Sequence, residues 1–540
     1  MALLTREERV AREARESREG ARDEPGETTP GGPWKASPGG QGLAAWIRWR
    51  IRRALPFALR IHRLLAVTGA LGLLLWGGSG LLHLVMTNFG PQPTVFAPPT
   101  AALDLSTARP LAETVAAAGI ERAAAVRVVA SKDGSLLQVT ESADRPRRYF
   151  RLGSGEELPG YDAVQAEFLA RHYLGADEPL RSIEWIDEFS DDYPWVNRLL
   201  PVYRVEFEHP DRLSAYVYTE TGVLAAVTND LKQILQTGFS WLHTWSWIPR
   251  QAEWLRVGII ALMIGSLFSL SISGSVLLLG LRGRAAGSPV RRIHRRSGWL
   301  LALPLLMLSG SALYHLFSFA GVTPGRSLTL APPIAVAGAS FPIHEQWREI
   351  SEGLDVSSVS IVEDGQGRIL YRLGLARERG ATPATAGEIR NARFDGIPRT
   401  GPAVYVDAAT GRAVEQGDRE LALQLGERFT GLGSEKLEGV QLVTRFGPLY
   451  DFRNKRLPVW QLDYADPLNA SIFVDTTTGV LADRLDARDV PERLVFSFLH
   501  KWNFLFPFGR RVQSAVVASV VAASMILMAG LGWRLRRPRR

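Results

Sequence analysis

Six of the nine histidines in this chain of 540 residues stand in repeated surroundings. His62 and His294 each sit in an Ile-His-Arg triplet, and His83 and His315 each follow 21 residues later, before a leucine. His243 and His500 each occupy a Leu-His-x-Trp segment. Neutral imidazole binds divalent metals and is an axial ligand of haem iron, so imidazoles matched between two halves of a chain suit either chemistry. A lone histidine at a helix end reads as an interfacial side chain; retention of the same residue in both halves shifts the reading toward ligation. The apolar segments beside these histidines hold no carboxylate to complete a zinc or copper site, which favours a haem iron held from both sides. His172, His209 and His344 have no counterparts and read as ordinary surface or core imidazoles.

The elements that must position these residues are themselves duplicated. Phe239-Ser240-Trp241-Leu242-His243 recurs as Phe496-Ser497-Phe498-Leu499-His500, an offset of 257 residues. The same offset relates Leu200-Pro201-Val202-Tyr203 to Leu457-Pro458-Val459-Trp460, Tyr193 to Tyr450, and Thr221-Gly222-Val223-Leu224 to Thr478-Gly479-Val480-Leu481. Each copy reads as a helix, a polar domain, a Leu-His-x-Trp segment and a second helix. Parallel repeats of this kind are related by a pseudo-two-fold axis along the membrane normal, so equivalent histidines share a depth.

Four segments are long and apolar enough to cross a bilayer: Leu64 to Met86, Val257 to Leu281, Gly298 to Phe319 and Val512 to Trp533. Arg48, Arg50, Arg52, Arg53, Arg60 and Arg63 precede the first. Arg282, Arg284, Arg291, Arg292, Arg295 and Arg296 fill the connection between the second and third, and Arg534, Arg536, Arg537, Arg539 and Arg540 close the chain. The positive-inside rule then predicts a multi-pass protein of a bacterial inner membrane with both termini cytoplasmic and two large regions in the periplasm. The expected organisation is a disordered cytoplasmic tail (1–45), the first transmembrane helix with its lead-in (46–86), a first outer region (87–250) and the second helix (251–281). A cytoplasmic arginine-rich loop (282–297), the third helix (298–319), a second outer region (320–510) and the fourth helix with a basic tail (511–540) complete it. In the outer regions, short β-type runs such as Ala470–Asp475 and Val404–Asp407 end at Gly-containing turns, and helical patterns at Ala163–Tyr173 and Leu421–Phe429 predict cover for the sheets. Each outer region is therefore expected to be two small α+β units.

At about 1.5 Å per residue, the 21-residue separation spans roughly 31 Å, close to the hydrocarbon thickness. His62 and His294 are thus expected at the cytoplasmic face, and His83, His315, His243 and His500 at the outer face. Redox centres at both faces would carry an electron across. Arg60, Arg63, Arg292 and Arg295 are placed either to neutralise haem propionates or simply to set topology. Gly77-Gly78-Ser79-Gly80 and Ser309-Gly310-Ser311-Ala312 offer small residues for a flat macrocycle or for close helix packing, and Trp245 and Trp502 stand as flanking or interfacial aromatics.

Composition removes several classes. There is no cysteine, which excludes disulfides, thiolate ligation, covalent c-type haem and cysteine-ligated clusters. The net charge of +8 comes from arginine beside apolar segments rather than from a basic globular face, so no nucleic-acid partner is expected. No nucleotide-binding glycine loop, Ser-His-Asp elbow or flavin fingerprint is present.

The Ile-His-Arg and Leu-His helices, the Leu-Pro-Val-Tyr and Leu-Pro-Val-Trp strands, the Asp-x-x-Thr-Gly turn and the Leu-His-x-Trp segments make the chain resemble the PepSY-associated transmembrane family from about residue 45 onward. The resemblance implies four transmembrane helices in two parallel repeats with two extracytoplasmic α+β PepSY-like domains. It also implies haem b, two or three groups, held by His62, His294, His83, His315, His243 and His500 through the haem iron. Reduction of a ferric siderophore or similar iron chelate in the periplasm is the implied activity, with quinol or a cytoplasmic reductase as donor. No catalytic residue is assigned. Soluble PepSY modules resemble peptidase-inhibitory domains, which makes the alternative a non-catalytic membrane module that binds a peptide, peptidase or partner protein.

Overall fold

The computed structural model describes residues 40–99, 103–320, 328–375, 394, 396 and 403–536. The expected tail lies outside the described residues up to position 39, as do Arg537, Arg539 and Arg540. The chain divides into two units, Met1–Leu55 and Pro56–Arg540. In the first, Arg50 stacks on Trp46 and Arg53 on Trp49 within the opening turns of a long helix.

Four helices are long and apolar enough to cross a membrane: Trp49–Phe89, Glu253–Gly280, Pro289–Phe319 and Arg510–Leu535. Each extends beyond the apolar window that announced it. The third gains its extra turns at the start, because Ser288 caps it by accepting the Arg291 amide at 3.3 Å and Pro289 opens its first turn. Arg291 to Arg296, expected in a loop, are therefore helical, and the loop is confined to the residues before Pro289. Leu73, Leu267, Leu301, Leu305 and Ala529 pack the centre of the bundle. Glycines let the first and second helices approach closely: a Cβ on Gly72 would lie 2.9 Å from the Met263 carbonyl oxygen.

The intervening regions are built as the sequence predicts at the level of elements. Helix Tyr161–Leu174 covers the sheet of Leu180–Ile186, Val202–Phe207, Ser214–Tyr218 and Val223–Thr228, burying Leu169, Ala170 and Tyr173 against Val205, Phe207 and Val217. Helix Asp418–Thr430 covers its repeat, with Leu421, Ala422 and Leu425 against Leu462, Ile472 and Val474. Burial of each large apolar side chain is worth about 1.5–3 kcal/mol. Tyr193 stacks on Tyr216 and Tyr450 on Phe473, both with ring centres 4.6 Å apart.

The regions are not separate bodies, however. Ala125–Ser131, Gly134–Thr140 and Arg148–Arg151 from the first join Val356–Glu363, Ile369–Leu375, Ala403–Asp407 and Ala413–Val414 from the second in one seven-stranded sheet. The junction is antiparallel, Val359 opposite Val128 and Ile361 opposite Val126. An unpaired edge strand invites association, and here each region's edge covers the other's. A second shared core joins Tyr193, Val202 and Tyr216 to Tyr450, Val459 and Phe473.

Arg456 ties the same regions together, binding Asp475 at 2.5–2.7 Å and the Thr221 carbonyl at 3.0 Å. Burial alone would raise the Asp475 carboxyl, but Arg456 and the Thr477 and Thr478 donors hold it below the usual carboxylate value. A depressed folded-state pKa contributes stability that is complete above the unfolded value near 4 and is lost as pH falls through the folded one. Asp475→Asn is therefore expected to flatten the fall in thermal midpoint below about pH 4; an acid limb as steep as in the parent protein would count against this assignment.

Candidate functional site

His62 and His294 come together. The first lies on the first long helix and the second five residues into the third, and their ring centres are 6.5 Å apart with planes at 70°. Two imidazoles on opposite sides of one metal, at about 2 Å per bond, place their ring centres about 6 Å apart. His62 Nδ1 lies 3.2 Å from Ser273 Oγ, and His294 Nδ1 lies 3.2 Å from the Leu527 carbonyl oxygen. A carbonyl only accepts, so His294 donates from Nδ1. Ser273 has its own proton on the Leu270 carbonyl and accepts from His62. Both rings thus carry hydrogen on Nδ1 and keep the Nε2 lone pair for a ligand, the arrangement that orients metal-binding histidines. Gly274 and Gly532 flank them: a Cβ there would meet His62 Cε1 at 3.5 Å and His294 Cε1 at 3.8 Å.

At the other end of the helices the duplication repeats this chemistry. His243 ends the π-turn Ser240–Thr244, and His500 ends the π-turn Phe496–His500. Trp245 and Trp502 then take left-handed backbone conformations with φ 55°, which break the helix and leave the histidines on its last turn. His243 Nδ1 lies 2.9 Å from Ser79 Oγ and His500 Nδ1 3.2 Å from Ser311 Oγ. Each serine donates to a carbonyl one turn back, Leu75 or Met307, so each accepts from its histidine. Burial pushes His243 down to about 3 and His500 to about 4. Neighbouring imidazoles deepen both shifts: His500, His83 and His315 act on His243, and His315 and His83 act on His500. These rings are neutral and gathered in one region.

Within each half, one phenyl ring packs against both imidazoles. Phe239 lies 4.8 Å from His83 and 4.6 Å from His243; Phe496 lies 4.1 Å from His315 and 4.9 Å from His500. The small-residue segments divide their roles. Gly77 packs on Met525 and Gly310 on Phe268, whereas Gly80 has nothing within 4 Å of its Cβ position. Trp245 stacks on Trp76 at 5.7 Å, and the Trp76 indole donates to the His243 carbonyl at 3.0 Å.

The halves differ at two positions that the sequence reading missed. Glu492, only 5% exposed, meets His315 Nδ1 at 2.5 Å. Its repeat position holds Leu235. Lys501, beside His500, pairs with Asp451 at 3.5 Å and lies over the Phe496 ring, where the first half has Thr244. Ser79 and Ser311 carried a signal, since they share the 232-residue offset of His62 and His294.

His172 bonds the Ala97 carbonyl and His209 pairs with Asp211, both away from these groups. Arg292 is two residues from His294, about 200° around the helix, and so is turned away from the ring pair. Among the described residues no three His, Asp or Glu side chains converge to hold a metal ion. The chain matches no protein-family model, and no curated protein matches it.

Proposed function

We propose that this chain holds b-type haem between paired histidines and passes electrons across a bacterial inner membrane to a ferric chelate of the siderophore class. The observation that carries the reading is the facing of His62 and His294, each with Nδ1 anchored and Nε2 free. Bound haem b supplies a one-electron couple. The Leu527 carbonyl and Ser273 orient the ligands at one end of the bundle; Ser79 and Ser311 orient those at the other. The two ends are separated by roughly 31 Å of helix.

Arginine flanking the helices supports cytoplasmic termini, with His62 and His294 at the donor side, where quinol or a cytoplasmic reductase delivers electrons. The likeness to PepSY-associated membrane proteins supports the acceptor. The ferric ion of the chelate takes one electron, and hard-oxygen donors hold the ferrous product more weakly.

A reduced-minus-oxidised spectrum of the detergent-purified protein tests this, together with a pyridine haemochromogen count. The expected result is a b-type spectrum with roughly two or three haems per chain. A colourless preparation from haem-replete cells would overturn it and favour a non-catalytic module binding a peptide, peptidase or partner protein.

A further inference from the structure

We propose that the arginine-lined cavity beside the connection between the second and third long helices binds the phosphate of an anionic phospholipid. It is an open pocket of about 310 Å³ lined by Arg284, Ala286, Arg292, Arg295, Arg296 and Trp299. Four guanidinium groups line it and no carboxylate does. Arg295 is already committed, donating to the carbonyls of Leu281 and Arg284 at the end of the second long helix. Among the described residues Arg284, Arg292 and Arg296 have no ion-pair partner, and all three are exposed.

Two local rules are broken together here. Arg292 and Arg296 are like charges at i and i+4, and no acid offsets them. An anion in the pocket relieves both. Phosphate oxygens match the planar fork of arginine.

The third long helix shows which anion. Arg292, Arg296, Trp299 and Leu303 follow one another at spacings of four, three and four, so they form a single stripe along the helix. Trp299 is 50% exposed and Leu303 66%, with Leu300 beside them at 74%. Charge, then aromatic ring, then aliphatic surface is the order of a phospholipid from headgroup to acyl chain. A soluble phosphate would use only the first part. The stripe is turned about 200° from His294, so a macrocycle between the histidines does not fill it. The site is independent of the haem reading.

Native mass spectrometry of the full chain in detergent, titrated with phosphatidylglycerol, phosphatidylcholine or inorganic phosphate, tests the site. Phosphatidylglycerol is expected to bind selectively. R292Q/R296Q should weaken it about thirtyfold, two charges at about a factor of five each, while four of the six arginines around the connection remain to hold topology. R292K/R296K should keep most of the affinity, which separates lost charge from a folding defect. Trp299→Ala should weaken the lipid and leave inorganic phosphate unaffected. Equal binding of phosphatidylcholine, displacement of the lipid by inorganic phosphate, or unchanged lipid binding in the glutamine variant would overturn the proposal.

Discussion

Replacing His294 with alanine is expected to remove about one b-type haem per chain and to leave the haem held at the other end of the helices spectroscopically unchanged. His62→Ala should give the same loss, and the double variant no further loss, because the rings face one another at 6.5 Å and serve one centre. The fold should survive. His294 is half-buried on a helix whose packing is carried by Leu301 and Leu305, and its removal leaves the Leu527 carbonyl without its side-chain donor, at a cost of about 1–3 kcal/mol. His172→Ala is the control, since that ring serves the Ala97 carbonyl and should leave haem content unchanged. Full haem content in a folded His62/His294 double variant would end the assignment of this pair as ligands.

Glu492→Gln should raise the midpoint potential of the centre that includes His315 and weaken haem retention there by about 10–100-fold, the usual scale for an outer-shell partner of a metal-binding histidine. A carboxylate on Nδ1–H makes the imidazole a stronger electron donor and so favours ferric over ferrous iron. Glutamine keeps an acceptor in place without the charge. The duplication provides the reciprocal experiment. Leu235 precedes Phe239 by four residues as Glu492 precedes Phe496, so Leu235→Glu is expected to lower the potential of the centre that includes His83. Redox titration followed in the visible spectrum, with low-temperature EPR of the oxidised protein, reads both shifts. A merely structural Glu492 would change the melting temperature without moving a potential. A potential unmoved by Glu492→Gln would remove the residue from this role and leave the haem reading standing.

The two repeats differ in charge beside their outer histidines. In the second half a buried carboxylate lies against His315 and a lysine over Phe496; in the first, the equivalent positions are Leu235 and Thr244.

Much of this was legible in the chain itself. Hydropathy and length determined the four long helices, because a bilayer-length apolar run has few alternatives. The 257-residue offset located the duplicated strands and the Leu-His-x-Trp segments, and the offset of 232 paired His62 with His294 and His83 with His315. Local turn chemistry placed the hairpin at Gly479, whose φ of 68° suits glycine. What tertiary structure alone decided were the partnerships between residues distant in the chain. Periodicity cannot say which strand edge finds which, and so the shared seven-stranded sheet was invisible until Val356–Glu363 met Ala125–Ser131. The phenyl rings beside the imidazoles and the serine partners were present in the sequence as repeats, but only packing showed that Phe239 and Phe496 each lie against both histidines of their own half. Glu492 had no signal at all: it breaks the repeat, lies outside every apolar segment, and acquires its role only because the turn at Phe496 folds it against a histidine 177 residues earlier.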